Sequence, residues 1–262
     1  MRRRFVYFQS ACGPNRTLSN GQLSLTINDN SGAISELLFG GSDWYNPGRP
    51  GAYFAIAFGD DFYLFTESQT TPEAKVCGSS SFISATYREL PLKVERRYTL
   101  ASDANAFFVR TTIKNQTEDP VALRLAESFD PDQDIDQGGD FLTLNRLREL
   151  AEIPVTQATG LDTTYTVIMG SPTPGAVVEA AGGSNTDPPK VGYFLIETLQ
   201  ELDDFLDNPQ NAEGRRGDLG IHCGITKTLA PAETFTFTML QAFGLTVAAA
   251  EAAFLAALPQ AN

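Results

Sequence analysis

The stretch Gln22-Leu23-Ser24-Leu25-Thr26-Ile27 alternates polar and apolar side chains, and Ala33-Ile34-Ser35-Glu36-Leu37-Leu38-Phe39 returns after a polar interval. Period-two alternation places Leu23, Leu25 and Ile27 on one face of a β-strand. Residues 28–32 supply Asn, Asp, Ser and Gly, the side chains that turn a chain back on itself, so the pair reads as a hairpin. Working outward, short strand patterns recur at 53–58, 62–66, 82–88, 92–100, 106–114 and 121–129, and again at 164–169, 192–196, 219–228 and 234–243. Gly, Pro and Asn punctuate them, as in Asn115-Gln116-Thr117-Glu118-Asp119-Pro120. Two helices interrupt the series. Thr198-Leu199-Gln200-Glu201 is a capping box with Leu199, Leu202 and Leu206 on one face, stopped by Asn208-Pro209. An Ala-rich helix runs from about Thr246 to Leu258 and ends at Pro259. The pattern predicts an all-β, two-sheet antiparallel sandwich with one short internal helix and a C-terminal helix.

The chain has 262 residues, and no composition shift divides it. We expect an N-terminal extension over 1–17 and a single β-sandwich domain over 18–262, long enough to build a core without staples. Eighteen Phe and eight Tyr favour strands. The formal net charge of −13 repels phosphate backbones and anionic lipids, so nucleic acid is disfavoured as a partner. The same acidity suits a cation or a small neutral ligand such as a sugar, and it also serves solubility. A protein partner or an oligomer stays open. No stretch approaches the roughly 20 apolar residues of a membrane span. Three cysteines, Cys12, Cys77 and Cys223, show no metal spacing and no disulfide framework. Arg2-Arg3-Arg4 precedes only four apolar residues, short of the roughly 7–15 of a signal peptide. These features point to the cytoplasm, with secretion, its signal lying outside this sequence, as the alternative.

Three segments together resemble the galactose mutarotase-like supersandwich superfamily. The first is Asn20-Gly21-Gln22-Leu23-Ser24-Leu25-Thr26-Ile27 with Ser31-Gly32-Ala33-Ile34-Ser35-Glu36-Leu37, similar to the family's opening hairpin. The second is Val94-Glu95-Arg96-Arg97-Tyr98-Thr99-Leu100 followed by 107–114, Asn115-Gln116-Thr117 and 120–129, similar to its central run. The third, Leu229-Ala230-Pro231-Ala232-Glu233-Thr234-Phe235-Thr236-Phe237, resembles its closing turn and strand. Bacterial β-domains with an Asp-Pro-Asp-Gln-Asp loop look similar around 130–134 and at Ser184-Asn185-Thr186-Asp187-Pro188. The resemblance implies a two-sheet fold used by sugar epimerases, lyases and non-catalytic carbohydrate modules. Mutarotases of that family use histidines as acid and a glutamate as base. This chain has one histidine, His222, inside a strand pattern, and Ser128-Phe129-Asp130-Pro131-Asp132 stands where a family histidine is expected. Mutarotase chemistry is therefore not implied.

Asp130-Pro131-Asp132-Gln133-Asp134-Ile135-Asp136-Gln137-Gly138-Gly139-Asp140 sets a carboxylate at nearly every second position. Calcium takes six to eight oxygen ligands, so Asp130, Asp132, Asp134, Asp136 and Asp140 form the candidate metal set, with Asn185 and Asp187 as distant additions. The bidentate Glu of an EF-hand is missing at the twelfth position, which is Phe141 or Thr143 according to the starting Asp. The alternatives are a solvated acidic turn or one tied to Arg146 and Arg148. Asp132 and Asp136 are also candidates for acid/base work on a glycosidic bond, with Arg124 or Arg146 holding an acidic sugar and His222 nearby. Trp44, Tyr45 and Tyr53 form a candidate stacking platform for a sugar. No motif for an organic cofactor is present. The sequence favours a non-catalytic binding or assembly module that holds calcium and a carbohydrate, with a carbohydrate-active or small-molecule-converting lyase or isomerase as the alternative.

Overall fold

The computed structural model describes residues 13–44, 52–66, 73–87, 90–132, 142–180, 195–210, 216–217 and 219–261. In chain order the first four strands are β1 (Thr17–Ser19), β2 (Leu23–Ile27), β3 (Ile34–Phe39) and β4 (Ser42–Asp43). Then come β5 (Ala52–Phe58), β6 (Asp61–Phe65), β7 (Ala74–Gly78), β8 (Ile83–Tyr87), β9 (Lys93–Leu100), β10 (Ala106–Lys114) and β11 (Val121–Phe129). The second half holds β12 (Thr143–Leu150), β13 (Ile153–Gly160), β14 (Thr166–Gly170), β15 (Val177–Ala180), helix α1 (Leu199–Asp207), β16 (Arg216–Gly217), β17 (Ile221–Leu229), β18 (Thr234–Gly244) and helix α2 (Val247–Ala257).

The antiparallel sandwich expected from the alternation is present. One sheet has nine strands in the order β16-β12-β13-β14-β18-β10-β9-β8-β7, and the other has five, β15-β17-β11-β5-β6. The opening hairpin forms a separate four-stranded sheet, β1-β2-β3-β4. Side chains of all three sheets meet in one core, among them Leu25, Trp44, Phe54, Phe107, Leu125 and Phe237. Each large sheet carries a helix on its other face. Phe108, Ile168 and Leu240 of the nine-stranded sheet pack against Ala250, Ala253 and Phe254 of α2. Ala55, Ala57 and Ala126 of the five-stranded sheet pack against Leu202 and Phe205 of α1. Small alanines on that face let the helix approach closely.

A buried charge pair joins the large sheets. The Arg96 guanidinium on β9 donates to both Glu127 carboxylate oxygens on β11, at 2.6 and 2.7 Å, and lies 4.1 Å above the Phe54 ring. Burial opposes the Arg96 charge most strongly, but Glu127 together with the Tyr98 and Tyr87 phenols outweighs it and holds the guanidinium above its ordinary value. Burial pushes the Glu127 carboxyl up, while Arg96 pulls it down. Beside the pair, the Tyr98 hydroxyl donates to the Gly32 carbonyl at 2.6 Å, which ties the hairpin turn to β9. Gly32 has φ +65°, and a Cβ there would meet Ala85 Cβ at 2.5 Å and the Tyr87 hydroxyl at 2.9 Å. Only glycine fits.

Several expectations change. Trp44 is 0% exposed, stacks on Tyr165, meets Phe39 and Phe243 edge-on, and donates its indole N–H to the Phe39 carbonyl. It fills the core and offers no face to a sugar. Cys77 is disulfide-bonded, although the cysteine spacing shows no disulfide framework, and Cys223 is a buried free thiol. Of the strand expected at 192–196, Leu195 and Ile196 are not strand and the rest lies outside the described residues. Strands β12 and β13 went unread, because Thr143–Leu150 is half exposed and its turn carries no Gly or Asn.

Candidate functional site

Strand β11 sends Leu123, Leu125 and Phe129 into the core, so by alternation Ala126 and Ser128 face α1. Register then builds a row across the five-stranded sheet. Glu179 on β15 pairs with His222 on β17, His222 with Ser128 on β11, and Ser128 with Tyr53 on β5. The His222 Nδ1 and the Ser128 hydroxyl are hydrogen-bonded at 2.9 Å, and Nε2 lies 3.8 Å from Glu179 Oε1. The other Glu179 oxygen accepts the Gln210 backbone N–H at 2.6 Å, just past the helix exit.

Helix α1 covers the row. Its Thr198 cap accepts from the Glu201 amide while the Glu201 carboxylate accepts the Thr198 amide, the capping box expected from the sequence. Phe205 then stands over the imidazole with ring centroids 5.7 Å apart. Gly224, two residues beyond His222, has no room for a Cβ: one would lie 2.4 Å from the Leu125 carbonyl and 2.7 Å from the Phe205 ring. Glu179 and His222 are each 0% exposed and Ser128 is 2% exposed.

The row ends at Tyr53, which is 7% exposed. Its phenol is hydrogen-bonded to the exposed Glu197, and Asp130 lies close by. Burial, and then the charges of Glu197 and Asp130, push the Tyr53 phenol up to about 12, so it stays a proton donor at neutral pH. Asp130 and Asp132 follow β11 and are buried at this end. Aromatic, hydroxyl and carboxylate groups thus converge where β5 and β11 meet, a set suited to hydrogen-bonding a polyhydroxylated ligand.

Of the residues singled out in the sequence, Tyr53, Asp130 and His222 come together here. Arg124 pairs instead with Asp203 of α1 and donates to the Gly59 carbonyl. Arg146 is exposed on β12, and Arg148 pairs with Glu251 of α2 and with Gln157. Tyr45, Asp134, Asp136, Asp140, Asn185 and Asp187 lie outside the described residues. Among the described residues no three potential ligands converge as a metal site. Glu179, Glu197 and Gln210 were missed. A lone Glu in the apolar run Val177-Val178-Glu179-Ala180 was the available signal for the first. Among the described residues no helix is long and apolar enough to cross a membrane.

No protein-family model matches the chain, and no curated protein matches it in sequence. Solved structures do match in shape. A bacterial glucoamylase complexed with acarbose superposes at TM-score 0.55 and 14% identity over 91% of this chain, which spans 32% of the glucoamylase. A galactose mutarotase related enzyme from Lactobacillus acidophilus superposes at TM-score 0.53 and 11% identity, over 88% of this chain and 98% of its own. A putative aldose 1-epimerase from Escherichia coli K12 gives TM-score 0.50 and 12% identity, over 87% and 98%. Superposition along nearly the whole length of the latter two structures gives this chain the galactose mutarotase-like fold.

Proposed function

We propose that the chain binds a carbohydrate where β5 begins and β11 ends, and that it holds the sugar without converting it. The observation that carries this reading is the convergence of the Tyr53 phenol, Glu197 and Asp130. A phenol and carboxylates exchange hydrogen bonds with sugar hydroxyls. The shared fold supports the ligand class, although a fold hosts many functions. Burial of the chain's one histidine under α1 supports binding over turnover, because a general acid must reach the proton it moves. For the aspartate loop beyond Asp132, calcium is our proposal on charge grounds, since carboxylates so dense repel unless a cation neutralises them. The Cys77 disulfide supports the secreted alternative, since the cytosol keeps thiols reduced.

Calorimetric titration with neutral mono- and oligosaccharides, in chelator and then in calcium, tests the reading. Saturable heat is expected, weakened about tenfold by Tyr53→Phe through loss of one hydrogen bond. Silence with every sugar in both conditions refutes it. The second reading, an enzyme acting on sugars, is favoured by one observation: the Glu179–His222–Ser128 row stands directly behind Tyr53. Accelerated anomer exchange or bond cleavage, followed by proton NMR, would select that reading.

A further inference from the structure

Helix α2 covers only part of the outer face of the nine-stranded sheet. Phe108 and Leu240 pack under it, while further along the same face Lys75, Lys93, Arg97 and Lys114 are exposed. Alternation sets the composition there. Ile83, Ala85, Val94, Tyr98, Val109 and Ile113 point into the core, so the residues between them point out. Register lines those outward residues up in rows. The middle row runs Lys75–Thr86–Glu95–Thr112–Thr236 across β7, β8, β9, β10 and β18. On one side of it lies Ser84–Arg97–Arg110–Thr238, and on the other Lys93–Lys114–Thr234.

The chain has 32 acidic and 19 basic residues, yet these rows contain one acid, Glu95. Around it stand the ammonium groups of Lys75, Lys93 and Lys114 and the guanidinium of Arg97, none of them in an ion pair among the described residues. Arg97 lies over the Phe82 ring at 4.0 Å, and Arg110 donates to the Gln260 carbonyl at 2.5 Å. Lys93 directly opposes Lys114, a placement that costs a sheet stability. Lysine on an edge strand blocks unwanted pairing, which accounts for Lys75 on β7. It does not account for the others, because β9 and β10 are interior strands. Like charges held face to face on interior strands, in a chain short of bases, point to an anion that neutralises them from outside.

We propose that this face docks an acidic polysaccharide, a glycan chain whose carboxylates meet the lysines and Arg97 while its hydroxyls meet the Ser and Thr rows. Ser84, Thr86, Thr112 and Thr236 lie between the cations, and the Thr112 and Thr236 hydroxyls stand 3.2 Å apart. Hydroxyls both donate and accept, as sugar hydroxyls require. The cations are spaced rather than contiguous: Lys93 and Arg97 are four residues, or about 13 Å, apart along β9. That spacing suits a polymer whose anionic groups are separated by neutral hydroxyls. Duplex nucleic acid carries a charge about every 1.7 Å of its axis, and the net charge of −13 together with Glu95 repels so dense a polyanion. Phe82, the aromatic beside the rows, is already covered by Arg97 and offers no stacking platform to a base. The surface lies on a different sheet from Tyr53 and stands independently of the reading above.

Titration of the whole chain with polygalacturonate, in chelator and at low salt, tests the surface, with the fully methyl-esterified polymer as neutral control. We expect saturable binding that weakens as salt rises and is lost on esterification. Lys93→Gln combined with Lys114→Gln should weaken it about tenfold or more, through loss of two charge-assisted contacts. The double variant should melt no lower than the wild type, because an opposed pair of like charges is relieved. Glu95→Gln probes the same face without removing a lysine, and should tighten binding by deleting the one repelling carboxylate. Duplex DNA, polyglutamate and phosphatidylserine vesicles at the same salt form the other arms. No binding of polygalacturonate, an affinity untouched by the double variant, or equal or tighter binding of any of those three polyanions overturns the proposal. Chelator removes calcium bridging, and neutral sugars rather than polygalacturonate test the site at Tyr53, so the two readings fail separately.

Discussion

Arg96 carries a positive charge into the layer between the two large sheets, where water cannot solvate it. It is 2% exposed, and Glu127, the Phe54 face and the Tyr98 ring surround it. Such a pair adds little net stability, but breaking it strands a charge. Arg96→Met should therefore cost about 3–5 kcal/mol in urea denaturation at neutral pH, and adding Glu127→Leu should recover most of that loss. Equal stability of the single and double variants would show that Glu127 finds another partner. Part of this was legible. In Val94-Glu95-Arg96-Arg97-Tyr98, alternation puts Arg96 on the face of Val94 and Tyr98, while Arg97 falls outward and covers Phe82 at 4.0 Å. The identity of the partner was not legible, because Glu127 sits on a different sheet 31 residues away.

At the scale of elements, the readings succeeded where turn chemistry was conventional and failed where it was not. Asn28 and Gly32 marked the first hairpin, and Thr198 with Glu201 marked α1. The β12–β13 hairpin turns through Ala151 and Glu152, both at positive φ (50° and 66°), with Leu150 facing Ile153. That is the pattern of a two-residue primed turn, which normally takes Asn-Gly. Ala and Glu hold it under strain, and the neighbouring strands of the nine-stranded sheet impose it. Replacing Ala151-Glu152 by Asn-Gly should raise stability by about 1–2 kcal/mol, read as a higher denaturation midpoint at unchanged slope. No gain would mean that the turn residues make compensating contacts.

For the molecule as a whole, the buried ionisable groups set an alkaline limit. Burial pushes the Tyr87 phenol to about 12, against the pull of Arg96, and Tyr53 also stands at about 12, both from an ordinary 10.0. Burial, and then the Glu127 charge, push the Cys223 thiol well above its ordinary 9.0. Above those ordinary values the unfolded chain releases protons that the folded chain retains, so unfolding becomes easier as pH rises. Melting temperature should fall steadily from about pH 9, and Cys223→Ser should delay the onset toward the tyrosine range. A flat profile to pH 11 would contradict the burial of these groups. The amino-acid sequence by itself determined the all-β class, the opening hairpin and both helices, because local periodicity and turn chemistry record these, and its composition determined the acidic charge and the single histidine. Tertiary structure alone decided that Trp44 is core, that Arg124 serves α1, and that Glu179, His222, Ser128 and Tyr53 stand in one row. Those outcomes depend on which strands lie side by side and in what register, and pairing between distant strands leaves no periodic mark on either one.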